Sequence, residues 1–203
     1  MTSLQPRASK LRFWLVVLGS MLLSACVTTP TQSPGGQAWD ARRPQLQARE
    51  HFDLKGRVAV AAGNDGFNAR LLWKQTGTRS TVALDGPLGA GGVQITSDGA
   101  SLTVLTSKGE HLDNQAARSE LAARLGFDPP IGSLRYWVLG VPDPATPAKE
   151  TLDGQQRLAS LQQDGWQIDY AAYTSVGGEW LPSRVTLQRE GVRVRLIVDG
   201  WTS

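Results

Sequence analysis

The sequence predicts a mainly β domain, one curved antiparallel sheet with helices inserted midway and packed on its concave side. Two observations carry most of that expectation. Short stretches with apolar residues at every second position recur between residues 52 and 198, separated by Gly, Asn, Asp or Ser. Most of the connections between them are too short to hold a crossover helix, so neighbouring strands should run antiparallel. A third observation places the helices, because helical texture interrupts the strand series only once, over residues 113–138.

In chain order, residues 38–50 read as a short helix, interrupted or kinked near Pro44, whose ring removes a backbone donor. Phe52, Leu54, Val58 and Val60 then share one parity, with Asp53, Lys55 and Arg57 on the other, as a half-buried strand requires. Residues 67–75, 80–85, 93–96 and 102–106 read the same way. Asp113 is placed to cap a helix running through Ala117, Leu121 and Leu125, and Gly126 to end it. After Asp128-Pro129-Pro130 comes a second short helical or turn segment with Leu134, Trp137 and Val138, closed by a proline-rich loop over 141–147. Strands resume at 156–163 and 166–173, then at 184–190 and 192–198. In the last of these Val192, Val194, Leu196 and Val198 oppose Arg193 and Arg195.

The first 25 residues have the parts of an export signal: basic Arg7, Lys10 and Arg12, then an apolar run over 13–23 that is too short to span a bilayer as a helix. Leu23-Ser24-Ala25-Cys26 resembles the bacterial lipobox, which implies cleavage before Cys26 and lipid on its sulfur and its new amino group. No second cysteine exists for a disulfide. Position 27 is Val rather than the aspartate of inner-membrane retention, so the lipobox resemblance implies an outer-membrane destination. Residues 26–37, rich in Thr, Ser, Pro and Gly, read as a flexible tether, and residues 38–203 as one domain.

Removing residues 1–25 leaves eighteen basic against eighteen acidic residues, so the basic character of the whole chain belongs to the signal and argues against a nucleic-acid partner. With only His51 and His111, and the cysteine assigned to lipid, no metal site is expected. The same scarcity weighs against a nucleophile–histidine pair, so no catalytic residues are assigned and the protein is not expected to be an enzyme. The stretch Gly86-Pro87-Leu88-Gly89-Ala90-Gly91-Gly92 has neither a dinucleotide fingerprint nor the Lys-Ser/Thr of a phosphate loop. No cofactor is expected beyond the covalent lipid.

An ordered set of short motifs resembles the LolB family of outer-membrane lipoproteins. It comprises Trp39, Leu54-Lys55-Gly56-Arg57-Val58-Ala59-Val60, Phe67 through Leu72-Trp73, Gly86-Pro87-Leu88-Gly89, and Leu134-Arg135-Tyr136-Trp137-Val138-Leu139-Gly140. Gly165-Trp166 with Tyr170, Leu181-Pro182 and Val198-Asp199-Gly200-Trp201 complete it. The resemblance implies an unclosed antiparallel half-barrel with a helical lid over an apolar cavity, of the LolA/LolB-like type. It further implies a monomer, anchored by lipid and facing the periplasm, that accepts triacylated lipoproteins from the periplasmic carrier LolA and inserts them into outer-membrane phospholipid. Trp73, Trp137, Trp166 and Trp180 become candidates for lining the acyl-chain cavity, although spacing alone leaves core and cavity both open for them. Leu88 becomes the candidate for a protruding loop that inserts into the membrane, although a leucine in a turn commonly tucks into the core. Arg42, Arg43, Arg193 and Arg195 are candidates for carrier recognition. The competing reading is a lipid-anchored outer-membrane protein that binds another lipid or serves envelope assembly.

Overall fold

Alternating burial carries the sequence pattern into three dimensions. In the computed structural model, which describes residues 38–86 and 91–202, strand β1 (His51–Ala62) buries Phe52, Leu54 and Val60 and exposes Asp53, Lys55 and Arg57. The expected signal segment, Cys26, the tether over 26–37 and Leu88 lie outside the described residues. Strand β2 (Asp65–Thr76) repeats the pattern with Ala69, Leu71, Trp73 and Gln75 buried. β1 and β2 pair from His51↔Thr76 to Ala62↔Asp65 without a register shift, so every inward residue of one strand faces an inward residue of the other.

The chain continues outward from this hairpin through β3 (Arg79–Asp85), β4 (Val93–Ser97), β5 (Leu102–Thr106) and β6 (His111–Asp113). Helices α2 (Asn114–Leu125) and α3 (Ile131–Trp137) follow, and α1 (Trp39–Gln47) precedes β1. The chain then returns through β7 (Ala148–Leu152), β8 (Leu158–Gln163), β9 (Trp166–Val176), β10 (Glu179–Arg189) and β11 (Val192–Thr202). β11 pairs with β1, which gives the spatial order β6-β5-β4-β3-β2-β1-β11-β10-β9-β8-β7 in one antiparallel sheet. β6 and β7 are its two edges, and the sheet is not closed.

The expected mainly β fold with mid-chain helices is therefore present, with two strands more than the alternation pattern reveals. β6 has three residues, too few to show a period, and β7 reads Ala-Lys-Glu-Thr-Leu, the polar composition of an edge strand. β10 also begins earlier than expected, at Glu179, because Pro182 is accommodated at a register shift before Arg184. α1 runs through Pro44, whose carbonyl accepts the Ala48 N–H. Asp113 stands at the N-cap of α2 without capping it, its carboxylate accepting the Thr103 hydroxyl at 2.9 Å instead.

Two apolar cores form on the inner face. The larger packs α1, α3 and residues 138–141 against β1, β2 and β8–β11, and includes Leu46, Phe52, Trp137, Leu161, Ile168 and Leu181. The smaller packs Ala117 and Leu121 of α2 on Val93, Ile95, Leu102 and Val104. Val82 and Leu84 of β3 touch both. Residues 35–203 form one compact unit, and both of these cores are built from residues within 38–202.

Candidate functional site

Between the two cores lies an unfilled cavity of about 140 Å³. Its floor is the inner face of the sheet: Val58, Val60, Phe67, Leu71, Trp73, Val82, Leu84, Ile95, Trp166, Leu187, Val194 and Leu196. Its roof is the segment joining and including the mid-chain helices: Leu125, Phe127, Pro129, Pro130, Ile131, Leu134 and Val138. Among the described residues Ser80 and Ser97 are the only polar ones in the lining, and Ser80 turns its hydroxyl to the Gln75 side-chain oxygen. A cavity walled this way stays dry and receives apolar ligands.

Local sequence builds the roof. Gly126 ends α2 in the left-handed conformation (φ 78°), its N–H bonding to Ala122 O at 2.9 Å. A side chain there would also collide with Ala62, 2.7 Å from the position of its Cβ. Pro129 and Pro130 then oppose continuation of the helix, and α3 restarts at Ile131 with the Leu134 N–H on Pro130 O. The far end of α3 is pinned to the sheet. Trp137 donates its indole N–H to Gln163 Oε1 (2.8 Å), and its carbonyl accepts the Tyr170 hydroxyl (2.9 Å). The Gln163 side-chain amide in turn donates to the Asp143 and Thr146 carbonyls at 2.8 and 2.9 Å.

The four candidate tryptophans divide. Trp73 and Trp166 line the cavity, Trp166 meeting Phe127 of the roof edge-on at 5.6 Å between ring centroids. Trp137 and Trp180 are not among the lining residues. Trp137 is 1% exposed and committed to the hydrogen bonds that fix α3, where its apolar surface belongs to the core. Trp180 lies half-buried in a polar cleft, with the Arg157 guanidinium 5.4 Å from its ring. The roof residues Phe127, Pro129, Pro130 and Ile131 were not singled out from the sequence. The available signal was an apolar, proline-interrupted segment directly after a polar helix.

Among the described residues no titratable group lines the cavity. The perturbed groups sit in the supporting structure. Burial pushes the Tyr170 and Tyr173 hydroxyls up, so both stay neutral donors, to Trp137 O and Leu158 O respectively. Burial also pushes the Asp153 carboxyl up, but hydrogen bonds from Arg157 and Gln155 outweigh it and hold Asp153 below its ordinary value. Among the described residues no group of three or more His, Cys, Asp or Glu could hold a metal, and no helix is long and apolar enough to cross a membrane. What this site can do chemically is bind apolar chain.

Of the other candidates, Arg42 is buried in α1, Arg43 pairs with Glu150 at 2.9 Å, and Arg193 and Arg195 are exposed on the outer face of β11. These arginines do not form one patch, since Arg42 and Arg195 line separate clefts with different neighbours. Leu88 lies outside the described residues, and the described residues that flank it are Gly86 and Gly91. Both line an adjoining pocket with Phe67, Leu84 and Leu125, which also border the apolar cavity.

The family model for "Outer membrane lipoprotein LolB" matches residues 50–201. A protein of Pseudomonas putida named outer-membrane lipoprotein LolB is 34% identical over 165 residues, covering 81% of this chain and 80% of the relative. Proteins of the same name from Nitrosococcus oceani (34% identity, 94% and 96% coverage) and Pseudomonas aeruginosa (32%, 95% and 96%) match nearly end to end. Among solved structures, a LolA superfamily protein from Nitrosomonas europaea superposes with TM-score 0.52 at 11% identity, covering 82% of this chain and 94% of that one. A DUF1329 family protein from Desulfovibrio piger gives TM-score 0.55 at 10% identity, with 80% and 89% covered. At such identities these two speak for the fold alone.

Proposed function

The chain belongs to the outer membrane lipoprotein LolB family, and on that premise we propose how its parts share the work of a lipoprotein receptor. The protein is an outer-membrane lipoprotein that receives lipoproteins of the sorting pathway and places them in the membrane. In our reading the periplasmic carrier LolA hands over triacylated cargo, the acyl chains enter the cavity between the α2–α3 roof and the sheet, and Leu88 leads them into the bilayer. One observation carries this reading: an apolar space whose described lining is polar at Ser80 and Ser97 alone, bounded on one side by a short helical segment rather than by a second sheet. Water opposes free passage of such cargo, since each methylene of an acyl chain costs about 0.8 kcal/mol to expose. A covered apolar path removes that barrier, and a cavity that holds the chains more tightly than the carrier does gains about 1.4 kcal/mol for each tenfold of affinity. The bilayer is the final sink.

Cys26 would hold the domain at the membrane through its lipid. Leu88 suits a transient probe, because burying one leucine side chain gains only roughly 1.5–3 kcal/mol. Its chain neighbours Gly86 and Gly91 line a pocket with Phe67 and Leu125 of the cavity wall, which supports a place there for the probe. Among the described residues the lining sets no acid–base partner beside the Ser80 and Ser97 hydroxyls, and Ser80 donates to Gln75, so the reading assigns these residues to binding.

The test is a two-step transfer. Residues 27–203 are mixed with the carrier loaded with fluorescent triacylated lipoprotein, and then with liposomes, following co-purification and flotation. Uptake followed by delivery is expected, and Leu88→Glu should keep uptake while losing most delivery. Absence of uptake from the cognate carrier would overturn the receptor reading, and full delivery by Leu88→Glu would remove that residue from it.

A further inference from the structure

Among the described residues, Arg42 is the one cation of α1 whose surroundings contain carboxylates and yet give it none. Its residue is only 6% exposed, and its Nε has no hydrogen-bond partner. The carboxylates whose charge acts on it, Glu179 and Asp153, are already engaged, as is Glu150 beside α1. Glu150 takes Arg43 and the Trp39 indole, Glu179 takes Arg49, and Asp153 takes Arg157. Residues 1–37, which precede the helix, contain no Asp or Glu at all, so the chain cannot supply the missing anion from that side. The Trp39 ring, 5.5 Å from the guanidinium carbon, offers a π face, which attracts a cation but accepts none of its in-plane N–H bonds. A buried guanidinium without a hydrogen-bonded counter-charge is costly, and burial holds Arg42 below its ordinary pKa.

Arg42 lines a cleft of about 430 Å³ together with Gln45, Arg49, Glu179, Trp180 and the tight turn at Gly177 and Gly178. With two arginines against one glutamate, the walls carry an excess positive charge. The cleft lies on the α1 and β9–β10 side of the domain and shares no lining residue with the apolar cavity.

We propose that this cleft binds a phosphate-class oxyanion, with the Arg42 guanidinium as its principal donor and Gln45 and Arg49 on its walls. The planar fork of an arginine matches two phosphate oxygens at once. Lipid headgroups and free phosphate share this chemistry. The headgroup is within geometric reach, because Arg42 follows Cys26 by 16 residues, an extended span of about 55 Å. Only that choice of source rests on the lipid-anchor reading. The site itself stands on the cleft and its unpaired arginine, whatever the apolar cavity holds.

Residues 27–203 are titrated at constant ionic strength, with chloride as the balancing ion. The two probes are inorganic phosphate and glycerophosphoglycerol, the deacylated headgroup of phosphatidylglycerol, which has no acyl chain to enter the cavity. Backbone amide shifts report the site. Saturable shifts confined to residues 42–49 and 177–180 are expected, with Arg42→Gln weakening binding about tenfold or more. Glu179→Gln removes the competing carboxylate and frees Arg49, so it should tighten binding about threefold. That variant keeps the test decisive if Arg42→Gln fails to fold. Tighter binding of glycerophosphoglycerol supports a headgroup site, and binding of inorganic phosphate alone supports a free-anion site. Saturation by neither probe, or affinity unmoved by Glu179→Gln, would overturn the proposal.

Discussion

Gly56 shows how little freedom the cavity floor leaves at single positions. It sits where β1 shifts register against β11, and a Cβ built on it would lie 2.4 Å from the Ile197 carbonyl oxygen. The obstacle is backbone of a paired strand, so it cannot swing aside as a flexible side chain would. Gly56→Ala should therefore destabilise the domain by about 1–3 kcal/mol, as overpacking does, read as a lower urea midpoint with unchanged slope. Gly132 is the control with opposite sign. It lies exposed within α3, with open space around its Cβ position and no positive φ. Gly132→Ala should stabilise by about 0.5–1 kcal/mol in the same measurement, because alanine loses less backbone entropy on entering a helix.

At the scale of elements, α3 does two jobs with two residues one turn apart, and substitution can separate them. Leu134 lines the cavity, whereas Trp137, one turn on, holds the helix to β8 and β9 through Gln163 and Tyr170. Leu134→Gln puts a polar group against the apolar space and should weaken acylated cargo binding about tenfold or more, by the loss of roughly one leucine's burial. Its melting temperature should fall less than that of Trp137→Ala, which also abandons a buried amide partner. Equal stability losses in the two variants would show that Leu134 is ordinary core. This division explains what the sequence made legible. Alternation alone located β1–β5 and β8–β11, because those strands bury one face against an apolar interior. It missed β6 and β7, whose edge positions place little demand on side-chain pattern. The tryptophans were visible as a set, but whether a ring fills core or borders a void depends on which helix covers it. Trp73 and Trp166 stand on the sheet under the roof and Trp137 on the covering helix itself, and the unpaired burial of Arg42 depends likewise on three ion pairs, Arg43–Glu150, Arg49–Glu179 and Arg157–Asp153.

For the molecule as a whole, the decisive quantity is the mismatch between the cavity and its proposed load. About 140 Å³ is room for a benzene-sized ligand, far less than three long acyl chains require. The described structure is therefore a closed form, and loading must separate roof from floor. The architecture says where. The sheet is continuous through β2, β1, β11 and β10 by paired backbone, and the Trp137 end of α3 is tied to it by hydrogen bonds. The stretch from α2 to Leu134 is held to the floor mainly by apolar contacts, in the small core of Ala117 and Leu121 and around Phe127 and Trp166. Acyl chains can replace such contacts in kind, so displacing the roof by cargo forfeits little that the cargo does not return. Hydrogen exchange should then show amides of residues 114–134 losing protection when triacylated cargo is bound, while β1, β2, β10 and β11 remain as protected as in the free protein. Cargo binding with the 114–134 amides unchanged would mean that the chains lie elsewhere than under this roof, and the exposed outer-face residues Leu72 and Ile197 would become the next place to look.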